Sequence, residues 1–484
     1  MAHSVGHLVS FARMSAITRT ERLFLLVFVL LNLALKLAWL GVNELAHDEP
    51  FTVFWSQATW ERLGTMFRTE NNPPLYFLLI KAWSALVPFE AAWLRFPSAV
   101  FSALAVWPLF LLARHLGSMR VAVLASILFT CSNYHYGFAH EVRAYSLFTL
   151  LTITGMWVLV RATESAERHG GPMRHMLHLS MLNVLLVYTH FFGWLVVGLQ
   201  GLLVLTMPEL RPLRRGFLYS AMFTMVWFLP YGLIFAERFS QSAGKGTWLT
   251  PPVPEELYNM VWRWSNVPVL AVGSLVLIAA ACVKDRCRSL GMRWGLVWAF
   301  IPMFGMFAVS FVVPMFLDRY LVYAAPGFAL LAALSVETIA TMDRLRNVLA
   351  TLIGLGMVVT FTPWKDNGLH PSRVVQQVEA WRSPGAPVLL YPWYYMHTYA
   401  WHADRDLLDV PENLQANLAK GFVYPVDEQG ELPVDLGALN TLVLVVAANE
   451  VERTTALRSG LRSSLPEVDS VEADHKVWVY RFGR

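Results

Sequence analysis

Long apolar runs, each about 18 to 20 residues, recur from Leu23 to Met357 and alternate with shorter polar segments. A helix of about 20 apolar residues is long enough to cross the hydrocarbon core of a bilayer. The pattern therefore predicts an all-α polytopic membrane domain with about 11 transmembrane helices over residues 23–363. The predicted spans are 23–40, 96–113, 121–138, 145–161, 176–190, 191–207, 217–235, 265–283, 294–312, 320–340 and 347–363.

The first loop, which we define as residues 41–95, mixes polar and apolar positions. Its apolar run Pro73–Ile80 is interrupted by Lys81 and is too short for an upright crossing. Proline is favoured in the first turn of a helix because its missing N–H has no partner there in any case. We therefore expect helices at the membrane interface in this loop.

Residues 364–484 have a different pattern, with many turn-forming residues and no run long enough to span a bilayer. The periodicity changes between short apolar strands and amphipathic helical segments, which is typical of a small α/β domain. The predicted helices and strands are 372–381 and 452–465, and 387–391, 441–446 and 476–480, respectively.

Composition supports the membrane assignment, because 56% of the 484 residues are hydrophobic and only 15% are charged. Soluble domains have roughly 25% charged residues. The net charge of +4 is small, which argues against a nucleic-acid partner. The three cysteines, Cys131, Cys282 and Cys287, form no metal-binding spacing, and packing is their expected role.

The distribution of basic residues predicts the orientation. Arg13, Arg19 and Arg22 precede the first span and should keep residues 1–22 in the cytoplasm, and the later short loops alternate in the same sense. The first apolar run lacks a signal-peptide cleavage site and is expected to remain as an anchor. An odd number of crossings then places the C-terminal α/β domain outside, and the bacterial inner membrane is the expected location.

Polar residues gather at the outer ends of the predicted spans, where ionisable groups usually face a cavity. They form a short series of clusters that all fall on one side of the membrane. These are 47–49, 71–72, His135, 140–145, His190, 237–245 and 318–320.

Four local motifs stand out among these clusters. Asp48-Glu49 follows the first span, Pro73-Pro74-Leu75-Tyr76 opens a helix, Glu141-Val142-Arg143-Ala144-Tyr145 follows the third span, and Asp318-Arg319-Tyr320-Leu321 opens a late span. In this order and on this one side, they resemble the GT-C glycosyltransferases. Within that superfamily the chain is similar to the branch of protein O-mannosyltransferases and lipid A aminoarabinose transferases, over residues 20–345.

The resemblance implies an enzyme that moves a sugar from a polyprenyl-phosphate donor to an acceptor on the non-cytoplasmic face. It implies that Asp48 is the catalytic base and that Glu49, its acidic neighbour, is a second catalytic residue, which could act only by tuning Asp48 or by binding a cation. It also implies that Arg143 and Arg319 lie near the lipid phosphate. Asn71-Asn72 departs from the histidine that many relatives have before Pro73.

The chemistry of the residues is consistent with these roles. A hydroxyl that attacks an anomeric carbon needs a base within about 3 Å of its proton, and a leaving phosphate needs cationic partners. Asp48 would accept the proton, and Arg143, Arg319 and Lys245 would stabilise the phosphate. Direct displacement inverts the anomeric centre. Possible substrate or metal contacts are His47, Asn72, His140, Glu141, His190, Asp318 and Tyr320.

The sequence leaves alternatives open at several of these positions. Arg143 could pair with Glu141 and Arg319 with Asp318 as structural ion pairs, and His190 could be a structural histidine. No cofactor is required by the inferred chemistry, although a divalent metal is possible. The acceptor could be a protein, a lipid or a glycan. A lipid or polysaccharide transporter and a non-catalytic membrane assembly component are the competing functions.

Overall fold

The computed structural model describes residues 18–70, 72–169, 171–242, 249–408, 410–427, 439–447 and 451–484, together with 432 and 436. The described chain consists mainly of α-helices and ends in a small sheet. The helices of the membrane domain and first loop are α1 Arg19–Leu37, α2 Glu49–Gln57, α3 Trp60–Thr69, α4 Pro74–Ser84, α5 Ala91–Leu116, α6 Met119–Thr130, α7 Asn133–Ala139, α8 Tyr145–His169, α9 Met173–Thr189, α10 Gly193–Thr206, α11 Arg214–Ser242, α12 Glu255–Trp264, α13 Pro268–Asp285, α14 Leu290–Val309, α15 Ala325–Ile339 and α16 Asp343–Thr360.

Each predicted span contains helical residues, and the chain is a membrane protein with many apolar helices. Five segments are long and apolar enough to cross a bilayer by length and composition. They are Ala91–Leu116, Tyr145–Glu167, Pro208–Glu237, Pro268–Asp285 and Leu290–Val309. The side chains of α11 that face outward are large and apolar, among them Met222, Val226 and Leu233, as expected of a helix in contact with lipid.

The predicted single span 121–138 is interrupted. Helix α6 ends at Thr130, and α7 begins at Asn133. Ser132 caps α7, because its hydroxyl accepts a hydrogen bond from the backbone N–H of His135. A serine that satisfies a free N–H is a common helix start, and hydrophobicity alone does not report it.

The first loop folds into three short helices, α2, α3 and α4. The helix expected after Pro73 is confirmed, with Pro74 in its first turn. Lys81 of α4 donates to the carbonyl oxygens of Ser56 at 3.3 Å and Ala58 at 2.6 Å, at the C-terminal end of α2. A cation at a helix C-terminus satisfies carbonyls that lack helical partners. Lys81 therefore fixes α4 against α2.

The C-terminal domain combines a five-stranded sheet with short helices. Its elements are α17 Pro371–Trp381, β1 Val388–Tyr391, α18 Met396–Ala403, α19 Leu414–Lys420, β2 Val423–Pro425, β3 Thr441–Val446, α20 Val451–Arg462, β4 Glu467–Asp474 and β5 Val477–Gly483. The strand order is β2-β1-β3-β5-β4, with β1 parallel to β2 and β3, and β5 antiparallel to β3 and β4. Helix α18 packs on both α17 and α2, and so joins the domain to the first loop.

The charged side chain of Lys36 lies deep among the helices. Lys36 of α1 is fully buried, and its Nζ lies 3.4 Å from the carbonyl oxygen of Thr130 and 5.1 Å from the centre of the Tyr136 ring. Thr130 is the last residue of α6, where the helix dipole is negative. Lys36 therefore interacts with a helix end.

Close contact between α14 and α15 depends on small residues. A Cβ atom added to Gly327 would lie 2.7 Å from Cγ of the buried Trp298. Small residues commonly allow helices to approach closely in membranes, where apolar burial gives little preference for helix contact over lipid contact.

We predict that Gly327→Ala lowers the free energy of unfolding by about 1 to 3 kcal/mol, because the rigid indole cannot move aside. Gly305→Ala on α14 is the matched control, since the added Cβ meets no atom within 4 Å. The control should be neutral or stabilising by up to about 1 kcal/mol. Unfolding in detergent micelles measures both, and equal stability of the two variants would contradict this packing analysis.

Candidate active site

The carboxylate of Asp48 lies at the start of α2 but does not cap that helix. Asp48 occupies the N-cap position, yet its side chain makes no capping hydrogen bond. The preceding residue, His47, is exposed and has a left-handed backbone with φ of 53°. This turn leads the chain into α2, and 45% of the Asp48 side chain remains exposed.

Two arginines from distant segments meet at this carboxylate. Arg319, in the short 3-10 turn before α15, donates from Nη1 to Asp48 Oδ2 at 2.7 Å. Arg143, in the loop between α7 and α8, places Nη2 at 3.7 Å from the same oxygen. Arg143 also donates to the Thr52 hydroxyl at 3.1 Å. The three residues that sequence motifs singled out therefore form one cluster.

The two arginines set the protonation state of Asp48. Burial by itself raises the pKa of this carboxyl group, but Arg143, Arg319 and His47 together outweigh it, and the pKa lies below its ordinary value. Asp48 is therefore an ionised carboxylate near neutral pH. A guanidinium that interacts with a carboxylate is also suited to interact with a phosphate.

The carboxylate of Glu49 is buried in the protein. Its two carboxylate oxygens accept from Nε and Nη2 of Arg95 at 2.8 and 2.7 Å, and both side chains are almost fully buried. Oε1 also accepts the backbone N–H of Val142 at 2.9 Å. Glu49 therefore holds elements together through Arg95 and the backbone of Val142.

The loop that carries Arg143 is held at three positions. The Nε2 of His140 lies 2.9 Å from the carbonyl oxygen of Lys36, and Val142 is held by Glu49. The carbonyl of Arg143 accepts from the Ser98 hydroxyl at 3.3 Å, and that hydroxyl lies 2.7 Å from the phenol oxygen of Tyr76. The tyrosine of the Pro-Pro-Leu-Tyr motif thus supports the position of Arg143.

Glu141 is a second carboxyl group at the cluster. Burial and then the nearby Glu49 raise its pKa to about 8, although Arg319 and Arg143 act in the opposite direction. The group is therefore mainly neutral at pH 7. Arg143 pairs with Asp48, which favours a role at the cluster over the alternative of a structural Arg143–Glu141 pair.

Asp318 holds the backbone of Arg319 in place. Its Oδ2 pairs with Arg263, and its Oδ1 accepts the backbone N–H of Arg319 at 2.7 Å. The guanidinium of Arg319 is thereby left to face Asp48 rather than Asp318. This arrangement differs from the alternative of a simple Asp318–Arg319 side-chain pair.

His190 and Tyr320 line an aromatic wall beside the arginines. The His190 ring stacks on Phe148 with centroids 5.0 Å apart and lies 6.0 Å from the rings of Tyr145 and Tyr320. Its Nδ1 accepts the backbone N–H of Phe192 at 3.2 Å. A neutral His190 therefore carries its proton on Nε2 and offers a hydrogen-bond donor.

The remaining sequence candidates have varied positions. The backbone carbonyl oxygen of Asn72 accepts a hydrogen bond from the Tyr231 hydroxyl at 3.1 Å. His140 is buried in the contact with Lys36 described above. Lys245 and Asn71 lie outside the described residues. Within the described ranges, no group of three or more His, Cys, Asp and Glu side chains is arranged to hold a metal ion.

Sequence reasoning missed Arg95, which is the most constrained charged residue near the site. It lies 46 positions after Glu49 and is 1% exposed. Besides Glu49, it donates to the carbonyl oxygens of Leu40, Asn43 and Glu44 at 3.3, 2.7 and 3.0 Å. An arginine near the start of a long apolar helix was the available signal, because charge in such a position usually has a buried partner.

We predict that Glu49→Gln lowers the free energy of unfolding by about 3 to 5 kcal/mol, because Arg95 would remain buried without its counter-charge. Glu379→Gln is the matched control, since Glu379 is 61% exposed and pairs with Arg382, which directly follows α17. Loss of that pair should cost less than about 1 kcal/mol. Denaturant unfolding measures both variants, and a Glu49→Gln protein as stable as the control would contradict a structural role of the buried pair.

Comparison with known proteins gives three findings. The sequence model of the dolichyl-phosphate-mannose-protein mannosyltransferase family matches residues 71–234. That region contains Glu141, Arg143 and His190, but not Asp48 or Arg319. No curated protein sequence matches the chain.

Solved structures of similar fold cover nearly the whole chain. ArnT from Cupriavidus metallidurans, in the apo state, has a TM-score of 0.58 at 13% identity, covering 96% of this chain and 98% of ArnT. The same protein bound to undecaprenyl phosphate has a TM-score of 0.58 at 14% identity, with coverage of 95% and 98%.

The archaeal oligosaccharyltransferase AglB from Archaeoglobus fulgidus, in complex with an inhibitory peptide and a dolichol-phosphate, has a TM-score of 0.52 at 10% identity, covering 88% of this chain and 70% of AglB. At these identities the structural matches establish the fold. The resemblance that the four motifs indicated is thus confirmed, and the chain has the fold of a GT-C glycosyltransferase of the protein O-mannosyltransferase and ArnT type.

Proposed function

We propose that this protein is a membrane glycosyltransferase that moves a sugar from a polyprenyl-phosphate donor to an acceptor hydroxyl. The observation that carries the proposal is that Arg143 and Arg319 both approach the same carboxylate oxygen of Asp48. A base beside two guanidinium groups is the combination that this displacement needs. The likeness to ArnT bound to undecaprenyl phosphate supports the same class of donor.

In the proposed reaction, the acceptor oxygen attacks the anomeric carbon while Asp48 accepts the hydroxyl proton. The bond between the anomeric carbon and the phosphate oxygen breaks, and polyprenyl phosphate leaves with the bonding electrons. Arg143 and Arg319 stabilise the negative charge that develops on the phosphate. A single displacement of this kind inverts the anomeric configuration.

Donor binding would also prepare the base. Arg319 donates directly to Asp48, and this contact weakens Asp48 as a proton acceptor. A bound phosphate competes for both guanidinium groups, so part of their charge would move from Asp48 to the lipid. The pKa of Asp48 would then rise toward its ordinary value while the donor is in place.

The surrounding residues would have supporting roles. His190 would donate from Nε2 to a phosphate or sugar oxygen, and Tyr320 would provide an aromatic face beside it. Lys245 stays a proposed third phosphate ligand, whereas His47 and Asn72 stay possible substrate contacts. Glu49 would keep the segments that carry Asp48 and Arg143 in fixed positions relative to each other. Arg143 and Arg319 would supply the positive charge that a divalent metal could otherwise provide.

We further propose about 11 crossings, with the N-terminus in the cytoplasm and the site on the opposite face of the bacterial inner membrane. The transporter alternative has less support, because the predicted spans keep their charged residues near their ends apart from Lys36, which interacts with the end of α6. A role as a non-catalytic assembly component would not explain why two arginines contact Asp48. The acceptor class stays open among proteins, lipids and glycans.

The function is tested by incubating purified protein with labelled polyprenyl-phosphate sugars and a panel of hydroxyl acceptors. We predict that Asp48→Asn abolishes transfer, because an amide cannot accept the proton. The same variant should bind polyprenyl phosphate about tenfold more tightly, since the arginines no longer share their charge with Asp48. Product formation and lipid binding are measured separately.

Glu61→Gln on α3 is the control for this experiment, because it removes an exposed carboxylate from the same loop. The control should change neither transfer nor lipid binding. Retained turnover in Asp48→Asn would exclude Asp48 as the base. Unchanged or weaker lipid binding in that variant would contradict the exchange of arginine partners.

Glu141 gives the site a predicted upper pH limit. With a pKa of about 8, it is neutral below that pH and becomes a carboxylate as the pH rises. The new negative charge beside the arginines should raise the KM for the donor by about tenfold above pH 8. Glu141→Gln, which stays neutral, should remove this rise. A wild-type KM that is constant from pH 7 to 9 would show that Glu141 does not affect the donor site.

A further inference from the structure

Residues 43–45, which lead into the turn before Asp48, are held from the side of the membrane domain. Arg95 of α5 binds the carbonyl oxygens of Asn43 and Glu44 at 2.7 and 3.0 Å. These residues lie outside any helix or strand. Their conformation therefore depends on contacts from other parts of the protein.

The C-terminal domain holds the same three residues as well. The backbone N–H of Asn367 donates to Asn43 Oδ1 at 3.3 Å. Ser372 donates to the Glu44 carboxylate from its backbone N–H at 2.9 Å and from its hydroxyl at 2.6 Å. His402 Nε2 donates to the Leu45 carbonyl oxygen at 2.8 Å.

A second contact joins the domain to α2, the helix that begins directly after Asp48. The buried ring of His397 on α18 packs on Phe54 with centroids 4.4 Å apart and on Phe51 at 5.5 Å. Its Nδ1 lies 2.8 Å from the carbonyl oxygen of Tyr394 and is therefore used inside the domain. The domain thus contacts the chain on both sides of Asp48.

We propose that the C-terminal domain is a positioning element of the active site and that His402 is its principal positioning residue. His402 is a positioning residue because it touches the Leu45 carbonyl and acts on Asp48 only through the intervening residues. The catalytic importance of this arrangement rests on the proposed role of Asp48 as base. The docking itself rests only on the contacts above.

The physical reason for this proposal is that the reaction tolerates little displacement of the base. An irregular segment has many accessible backbone conformations, and each hydrogen bond to a fixed domain removes part of that freedom. A displacement of about 1 Å at a reacting group can lower a rate about a hundredfold. The arginines that hold the phosphate lie on other segments, so a looser turn at Asp48 should affect the chemical step more than donor binding.

The test compares His402→Ala with His402→Gln, whose amide can still donate to the Leu45 carbonyl. We expect His402→Ala to lower kcat at least tenfold while the donor KM changes less than twofold, and we expect His402→Gln to restore most of kcat. Hydrogen exchange of residues 43–48 should be faster in His402→Ala. His475→Ala is the control, because His475 is an exposed histidine of the same domain.

Other outcomes distinguish positioning from general destabilisation. If His402→Ala also lowers the melting temperature, Ser372→Ala, which removes only the hydroxyl contact with Glu44, provides the milder second variant. Faster exchange throughout the C-terminal domain, or no difference between the Gln and Ala variants, would overturn the proposal. Unchanged kcat together with unchanged exchange at residues 43–48 would do so as well.

The exchange measurement does not depend on the reaction. If the wild-type protein transfers no sugar from any donor, the proposed function fails, whereas local loosening of residues 43–48 in His402→Ala would still establish the positioning contact.

Discussion

The buried ion pair between Glu49 and Arg95 is the interaction on which the arrangement of the site depends. Glu49 is adjacent in sequence to Asp48, and one of its oxygens also binds the backbone N–H of Val142, next to Arg143. Arg95 donates hydrogen bonds to three backbone carbonyl oxygens of residues 40–44, which precede the turn at His47. One buried pair thereby fixes the segment of the base and the segment of one arginine in a common frame. Removing either partner would leave an uncompensated charge in the protein interior, so the frame is held firmly.

This frame separates two carboxylates that are neighbours in sequence. Glu49 is enclosed and saturated with donors, whereas Asp48 keeps an exposed side chain facing two guanidinium groups. The division resembles that of other acid pairs in enzymes, in which different environments assign different roles to chemically similar groups. Here the enclosed carboxylate organises the backbone, and the accessible one is available for chemistry. The raised pKa of Glu141 adds a third carboxyl group in yet another protonation state.

The sequence predicted the parts of the structure that depend on local periodicity. Helices lie over the predicted spans, and the buried strands β1 and β3 fall where apolar runs placed them. The edge strand β4 was missed, because five of its eight residues are polar and it lacks a continuous apolar run. The cluster of Asp48 and Arg319 was inferred through a family resemblance. Their separation of 271 positions gives no local signal, and neither does that between Glu49 and Arg95. Long-range contacts between charged groups depend on the packing of whole helices.

The left-handed turn at His47 has a mechanical consequence. A non-glycine residue with φ of 53° is strained by about 1 to 3 kcal/mol and persists only while its surroundings hold it. The chain is fixed on one side of this residue at Asn43, Glu44 and Leu45 and on the other side by α2. If either attachment were lost, the backbone would relax to a right-handed or extended conformation, with no stable intermediate between these regions. The direction of the Asp48 side chain is therefore expected to change in an abrupt, switch-like manner rather than by gradual drift.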